Sequence, residues 1–208
     1  MMKILLTAFD PFGGEPINPA WEAVCRARAP EGVELTRLQV PTVFGASGDL
    51  VCAAMAREKP DVVLCVGQAA GRAALTPERT AVNLMDAAIP DNAGFLPQEQ
   101  PVVPGGPTAF FSTLPVKALA AAIGAAGVPA AVSDTAGTYV CNQLLYRVLY
   151  EIETRYPGMG GGFLHVPCLP EQAERMGKGK TIPSLTLEEI IRGLEAAIAF
   201  LKEEKAPR

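Results

Sequence analysis

The chain has 208 residues, 49% of them apolar and 19% charged, with a formal net charge of −4. That balance describes an ordinary globule able to bury a substantial core, not a disordered chain. The basic residues form no dense run, and no window approaches the roughly 18 apolar residues that span a bilayer, so neither nucleic acid nor a membrane is an expected partner.

Lys3 to Phe9 is a β-rich run closed by the loop Asp10-Pro11-Phe12-Gly13-Gly14. It starts like an export signal but stops at Asp10-Pro11 with no small-residue cleavage site, so no signal peptide and a cytoplasmic location are expected. Asn18-Pro19 has the form of a helix start, Asn as cap and Pro in the first turn. Val33 to Val40 alternates as a strand and ends at Pro41, and a helix is expected from about Ser47 to Glu58. Val62-Val63-Leu64-Cys65-Val66 is apolar on both faces, as a buried parallel strand is. Arg79 to Leu84 reads as another strand, and Ile89 to Pro107 as a long Pro/Gly-rich loop of the kind that serves function.

Leu114 to Ala126 reads as a helix closed by Gly127, and Ala130 to Val132 as a strand. A helix from Tyr139 to Tyr156, ended by Pro157-Gly158, and a strand from Phe163 to Val166 follow. Thr186 and Glu189 make a capping box for a last helix running to about Glu203. Strands alternate with helices, without repeat or linker. The expectation is one α/β domain over residues 1–208, a three-layer α/β/α sandwich around a mostly parallel, mixed sheet.

Most site chemistries lack their signature. Gly13-Gly14 and Gly105-Gly106 precede no Lys-Ser/Thr and fit no G-x-G-x-x-G, so turn glycines are the better reading. One histidine and scattered cysteines offer no ligand spacing, so no metal is expected. No Gly-x-Ser-x-Gly elbow is present. Cys25, Cys52, Cys65, Cys141 and Cys168 contain no CxxC pair and read mainly as reduced structural thiols.

Cys141 stands apart because a polar turn places it near the start of a helix, where free N–H groups and the macrodipole favour a thiolate. The same N–H groups suit an oxyanion. His165, the single histidine, ends an apolar run. From spacing alone two readings stand: nucleophile and base, or a buried apolar cysteine and a satisfied imidazole.

The segment Leu5-Leu6-Thr7-Ala8-Phe9-Asp10-Pro11-Phe12-Gly13-Gly14-Glu15-Pro16-Ile17-Asn18-Pro19 resembles the opening of the pyroglutamyl peptidase I family of cysteine peptidases. So do Val66-Gly67-Gln68, Thr76-Pro77-Glu78-Arg79, Ile89-Pro90-Asp91-Asn92, Thr135 to Asn142, and His165-Val166-Pro167 with Pro170-Glu171-Gln172, in the family's order. The resemblance implies a cofactor-free exopeptidase that removes an N-terminal pyroglutamyl residue from peptides through a thioester. It puts the nucleophile on Cys141, the base on His165 and the third member on Glu78. It makes Phe9, Phe12, Ile89, Tyr139 and Val140 pocket walls, and Asn18 and Gln68 ordering or hydrogen-bonding residues. It also implies a homo-oligomer, a tetramer in the family.

The chain departs from the family pattern at Ala88, where arginine is common, and more mildly at Ala8, Ala70 and Cys168. Arg72 and Arg79 remain nearby in the sequence as candidates to compensate for the missing arginine. Two alternatives stay open: a catalytically impaired relative that binds pyroglutamyl peptides, and another hydrolase or phosphorylase on a related scaffold.

Overall fold

The computed structural model describes residues 1–177 and 179–205. Four strands pair in parallel: β1 (Met2–Phe9), β2 (Val33–Val40), β3 (Val62–Gln68) and β7 (Gly160–Val166). A two-residue strand, β4 (Thr76–Pro77), adds antiparallel to β7, giving the order β2-β1-β3-β7-β4. The sheet is therefore mixed.

Period-two alternation sends successive β1 side chains to opposite faces. Ile4, Leu6 and Ala8 join Val62, Leu64, Val66, Leu164 and Val166 in one apolar cluster, completed by α1 (Pro19–Arg26), α3 (Val116–Ala125) and α6 (Leu187–Lys205). Leu5, Phe9, Val63, Cys65 and Phe163 face the other way, against α2 (Ala46–Glu58) and α4 (Val140–Arg155). Strands β3 and β7 are buried along their whole length because helices cover both faces. This is the α/β/α sandwich expected from the sequence.

The terminal signals act as read. The Asn18 side chain accepts from the Ala20 N–H at 3.0 Å, capping α1, with Pro19 in the first turn. Before α6, the Glu189 carboxylate accepts from the Thr186 N–H at 2.8 Å, and the Thr186 hydroxyl accepts from the Glu189 N–H at 3.2 Å. Two strand expectations change. Ala130 to Val132 is not a strand; isolated parallel bridges stand at Ala130, with Leu75, and just beyond the segment at Ser133, with Glu78. Hydrogen bonds on either side (Ala131 N–H to Leu75, Ser133 N–H to Pro77) imply a rung at Pro77, which has no N–H to donate.

The expected strand from Arg79 to Leu84 shortens to β5 (Thr80–Val82), which pairs with β6 (Ala109–Phe111) as a separate two-stranded ribbon. Beyond it, Asn142 Nδ2 donates to the carbonyls of Val82 and Leu84, at 2.9 and 3.0 Å, so a side chain takes the place of a partner strand. A further helix, α5 (Pro170–Gly177), follows β7.

Candidate active site

Strands β1, β3 and β7 end on the same side of the sheet, where open α/β sheets place ligand sites. A cavity of about 460 Å³ opens there, lined by Phe9, Phe12, Gln68, Ile89, Tyr139, Cys141 and His165 among others. A larger cavity of about 530 Å³ lies at the opposite end of β3 and β7, around Val62, Gly160 and Met159, and holds neither cysteine nor histidine.

His165 sits next to last in β7, and parallel registry places it beside Gly67 of β3. Gly67 is required by close approach: a Cβ there would lie 2.7 Å from Phe163 Cζ and 3.3 Å from Cys141 Sγ. The imidazole packs on the Phe163 ring at a centroid distance of 4.6 Å. Behind it, Nδ1 meets Glu78 Oε1 at 2.6 Å, with both side chains buried. A carboxylate accepts the Nδ1–H, which sets the tautomer and leaves Nε2 as the basic nitrogen.

Glu78 is tied down by backbone and by Arg72. Its N–H donates to the Phe163 carbonyl of β7 at 2.9 Å. Oε1 also accepts from Arg72 at 2.6 Å, while Oε2 is buried with no hydrogen-bond partner among the described residues.

Cys141 is the second residue of α4, so its N–H lies in the first turn, where no intrahelical acceptor exists. Its side chain is partly exposed, on the cavity. The helix start is one of several influences on this thiol. Burial, and then the nearby Glu78 charge, push the Cys141 thiol up to about 12, against the opposing pull of Arg72 and of its own N–H. Burial also holds His165 below the ordinary imidazole value; Glu78 works against this and Arg72 with it. Both effects favour a neutral thiol beside a neutral imidazole in the unliganded site.

The expected pocket residues divide. Phe9, Phe12, Gln68, Ile89 and Tyr139 line the cavity, and Ile89 is an exposed apolar side chain at its mouth. Val140 does not line it; its side chain is fully buried among the residues packed on α4. Asn18 is also set back, capping α1 and donating to the Asp10 carbonyl at 3.0 Å, so it orders the loop that carries Phe12. Gln68 donates to Gln172 Oε1 at 3.2 Å. Ala88 is exposed and off the cavity wall. Of the two nearby arginines, Arg72 lines the cavity while Arg79 pairs with Asp134 at 2.6 Å.

Residue types alone did not disclose a latch that positions Ile89. Asp91 accepts from the N–H groups of Phe44, Ala93 and Phe95, each at 2.9 Å. Asp10 Oδ1 accepts from the Thr42 N–H at 2.7 Å and from Asn92 at 3.2 Å. The Tyr139 hydroxyl donates to the Pro90 carbonyl at 3.0 Å. The bonds from Phe44, Thr42, Asn92 and Tyr139 join segments distant in sequence, so only the tertiary structure shows them. Among the described residues, no group of three His, Cys, Asp or Glu is gathered to hold a metal ion.

The sequence pattern of the pyroglutamyl peptidase family matches residues 2–204. The chain belongs to the pyroglutamyl peptidase family. It is 55% identical to the pyrrolidone-carboxylate peptidase of Levilactobacillus brevis over 95% of this chain and 96% of that protein. With the Streptomyces coelicolor pyrrolidone-carboxylate peptidase the identity is 50%, over 99% and 95%. The crystal structure of Bacillus amyloliquefaciens pyroglutamyl peptidase I superposes with a TM-score of 0.90 at 46% identity, covering 95% of each chain. A mutant pyrrolidone carboxyl peptidase from Pyrococcus furiosus gives a TM-score of 0.92 at 40% identity, covering 99% of this chain and all of that one. In this member of the pyroglutamyl peptidase family, the cysteine, the histidine and the buried glutamate therefore share one end of the family's sheet.

Proposed function

We propose that the chain is a cysteine exopeptidase that hydrolyses the amide bond after an N-terminal pyroglutamyl residue, with Cys141 as nucleophile, His165 as base and Glu78 as its orienting carboxylate. The observation that carries this reading is the 2.6 Å contact of His165 Nδ1 with buried Glu78, in the wall of a cavity that Cys141 also lines. Family membership supports the reaction, and the geometry supports the roles that the resemblance gives these residues.

Substrate binding brings the scissile carbonyl to Cys141, and His165 Nε2 takes the thiol proton as the sulphur attacks. The imidazolium that forms is stabilised by Glu78, and the Cys141 N–H donates to the developing oxyanion. His165 returns the proton to the leaving amine, and water then cleaves the thioester under the same base. No carboxylate is among the described residues lining the cavity. That suits a neutral lactam and gives no partner to the free ammonium of an ordinary N-terminus. Phe9, Phe12, Ile89 and Tyr139 offer apolar walls, and Gln68 an amide able to pair with the ring's polar edge.

The test is fluorophore release from a pyroglutamyl amide, compared with a prolyl amide. The wild type should cleave only the first, and Cys141→Ser and His165→Ala should both be inactive. Activity surviving Cys141→Ser would overturn the mechanism, and binding without turnover would make this chain an impaired relative. Homotetramer formation, proposed from family resemblance, is measured by light scattering on the same preparation.

A further inference from the structure

We propose that Arg72 is a positioning residue of this site, its guanidinium fixing Glu78 behind the base and tying that carboxylate to the loop that delivers the nucleophile. The proposal rests on the reading of Cys141, His165 and Glu78 given above. Arg72 arrives from the connection between β3 and β4, where a turn at Gly71 (φ 89°) precedes it and its N–H returns to the Ala69 carbonyl at 3.3 Å. From there one guanidinium reaches three places. It donates to Glu78 Oε1 at 2.6 Å, to the Thr76 hydroxyl of β4, and to the Thr135 carbonyl at 3.5 Å. Thr135 opens the turn that leads into α4 and Cys141.

The arrangement at Glu78 explains why such a tie is needed. All the described side-chain bonding of this fully buried carboxylate falls on Oε1, which accepts from both Arg72 and His165, while Oε2 has no partner. The Arg72 guanidinium, itself anchored at Thr76 and Thr135, holds Oε1 from a second direction beside the imidazole with a charge-assisted bond. The cation also offsets a buried negative charge that would otherwise face only an imidazole.

The same placement makes Arg72 felt electrostatically at His165. The charged or titratable groups facing the imidazole are Glu78 beyond β4, Arg72 from the β3–β4 connection and Cys141 of α4. Arg72 opposes protonation of His165, so its removal should make the imidazole easier to protonate. A side chain serving only to pack the loop would leave that titration unmoved.

Because His165 is the chain's single histidine, its ring carbon gives an unambiguous NMR titration. In Arg72→Gln, the His165 midpoint should rise, the acid limb of kcat/KM should move to higher pH, and kcat should fall about 10- to 100-fold at nearly constant KM. Arg72→Lys keeps the charge without the planar fork, so its midpoint should stay near that of the wild type while kcat still falls. Wild-type kcat in Arg72→Gln, or an unmoved midpoint, overturns the proposal. If Arg72→Gln does not fold, Arg72→Lys decides: a lower kcat at unchanged KM supports it, and wild-type kcat overturns it. Cys141→Ser and His165→Ala run in parallel, and activity in either would instead overturn the parent reading.

Discussion

Any acid–base step that needs an imidazole must use His165, since the chain has no other histidine. Burial disfavours its protonated form while Glu78 favours it, so the ring rests neutral yet can accept a proton as the thiol attacks. Glu78→Gln tests this balance: the amide can present its own N–H to Nδ1 and select the wrong tautomer. Turnover should fall about 10³- to 10⁴-fold with KM little changed, as steady-state kinetics on the pyroglutamyl amide would show. Iodoacetamide should inactivate the protein in step with labelling of Cys141, faster as pH rises, with pyroglutamyl amide protecting. Exposed Cys25 serves as the internal reference, labelled without loss of activity. Activity lost while peptide mapping finds Cys141 unlabelled would count against the nucleophile.

At the level of elements, the site is assembled from strand ends and one helix start. Gly67→Ala would push a methyl against Phe163 and the Cys141 sulphur, 2.7 and 3.3 Å away. It should cost roughly 1–3 kcal/mol of stability in a denaturant melt and lower kcat at least about tenfold by displacing the nucleophile. Asn18→Ala removes the α1 cap and one of the two donors to the Asp10 carbonyl, leaving the Thr42 hydroxyl. A loss of about 1 kcal/mol is expected from the cap, with a raised KM because the Phe12 loop loosens. Helix starts at Asn18 and Thr186 were legible because capping is a contact between residues a few positions apart. The segment from Ala130 to Val132 was misread because its pairing depends on Pro77, far away in sequence, and local alternation carries no record of a missing donor. The β5–β6 ribbon was hidden for a similar reason, since the sequence does not announce that Asn142 takes the carbonyls beside it.

Over the whole molecule, pH should act on stability from both sides. His165 is held below its ordinary value of 6.5 in the folded state, so the unfolded chain binds more protons as pH drops through that value. The contribution of a neutral His165 to stability is therefore full above about pH 6.5 and declines below it, and a His165→Gln variant should flatten that first decline in thermal melts across pH. The carboxylates of Glu15 and Glu189, held below 4.5 by Arg175 and Thr186 respectively, give a separate loss at lower pH. On the alkaline side, Cys65 and Cys141 are pushed up to about 12 from 9.0, both chiefly by burial. The unfolded chain then loses protons that the folded one keeps, so stability should fall as pH rises above 9.

The sequence by itself determined the layer architecture, most helix and strand positions and, through ordered blocks spread along the chain, the family. Those signals are local: alternation, capping and short motifs are read within a few residues. Tertiary structure decided which of those residues meet. It set Val140 in the core and Asn18 behind the site, joined Asn92 to Asp10 and Asp91 to Phe44 to hold the Ile89 loop, and placed Arg72 on Glu78. It also set the balance of influences on the Cys141 thiol. A helix start favours the thiolate through a few N–H groups, but burial and a neighbouring carboxylate act on the same sulphur more strongly, and both follow from the three-dimensional surroundings.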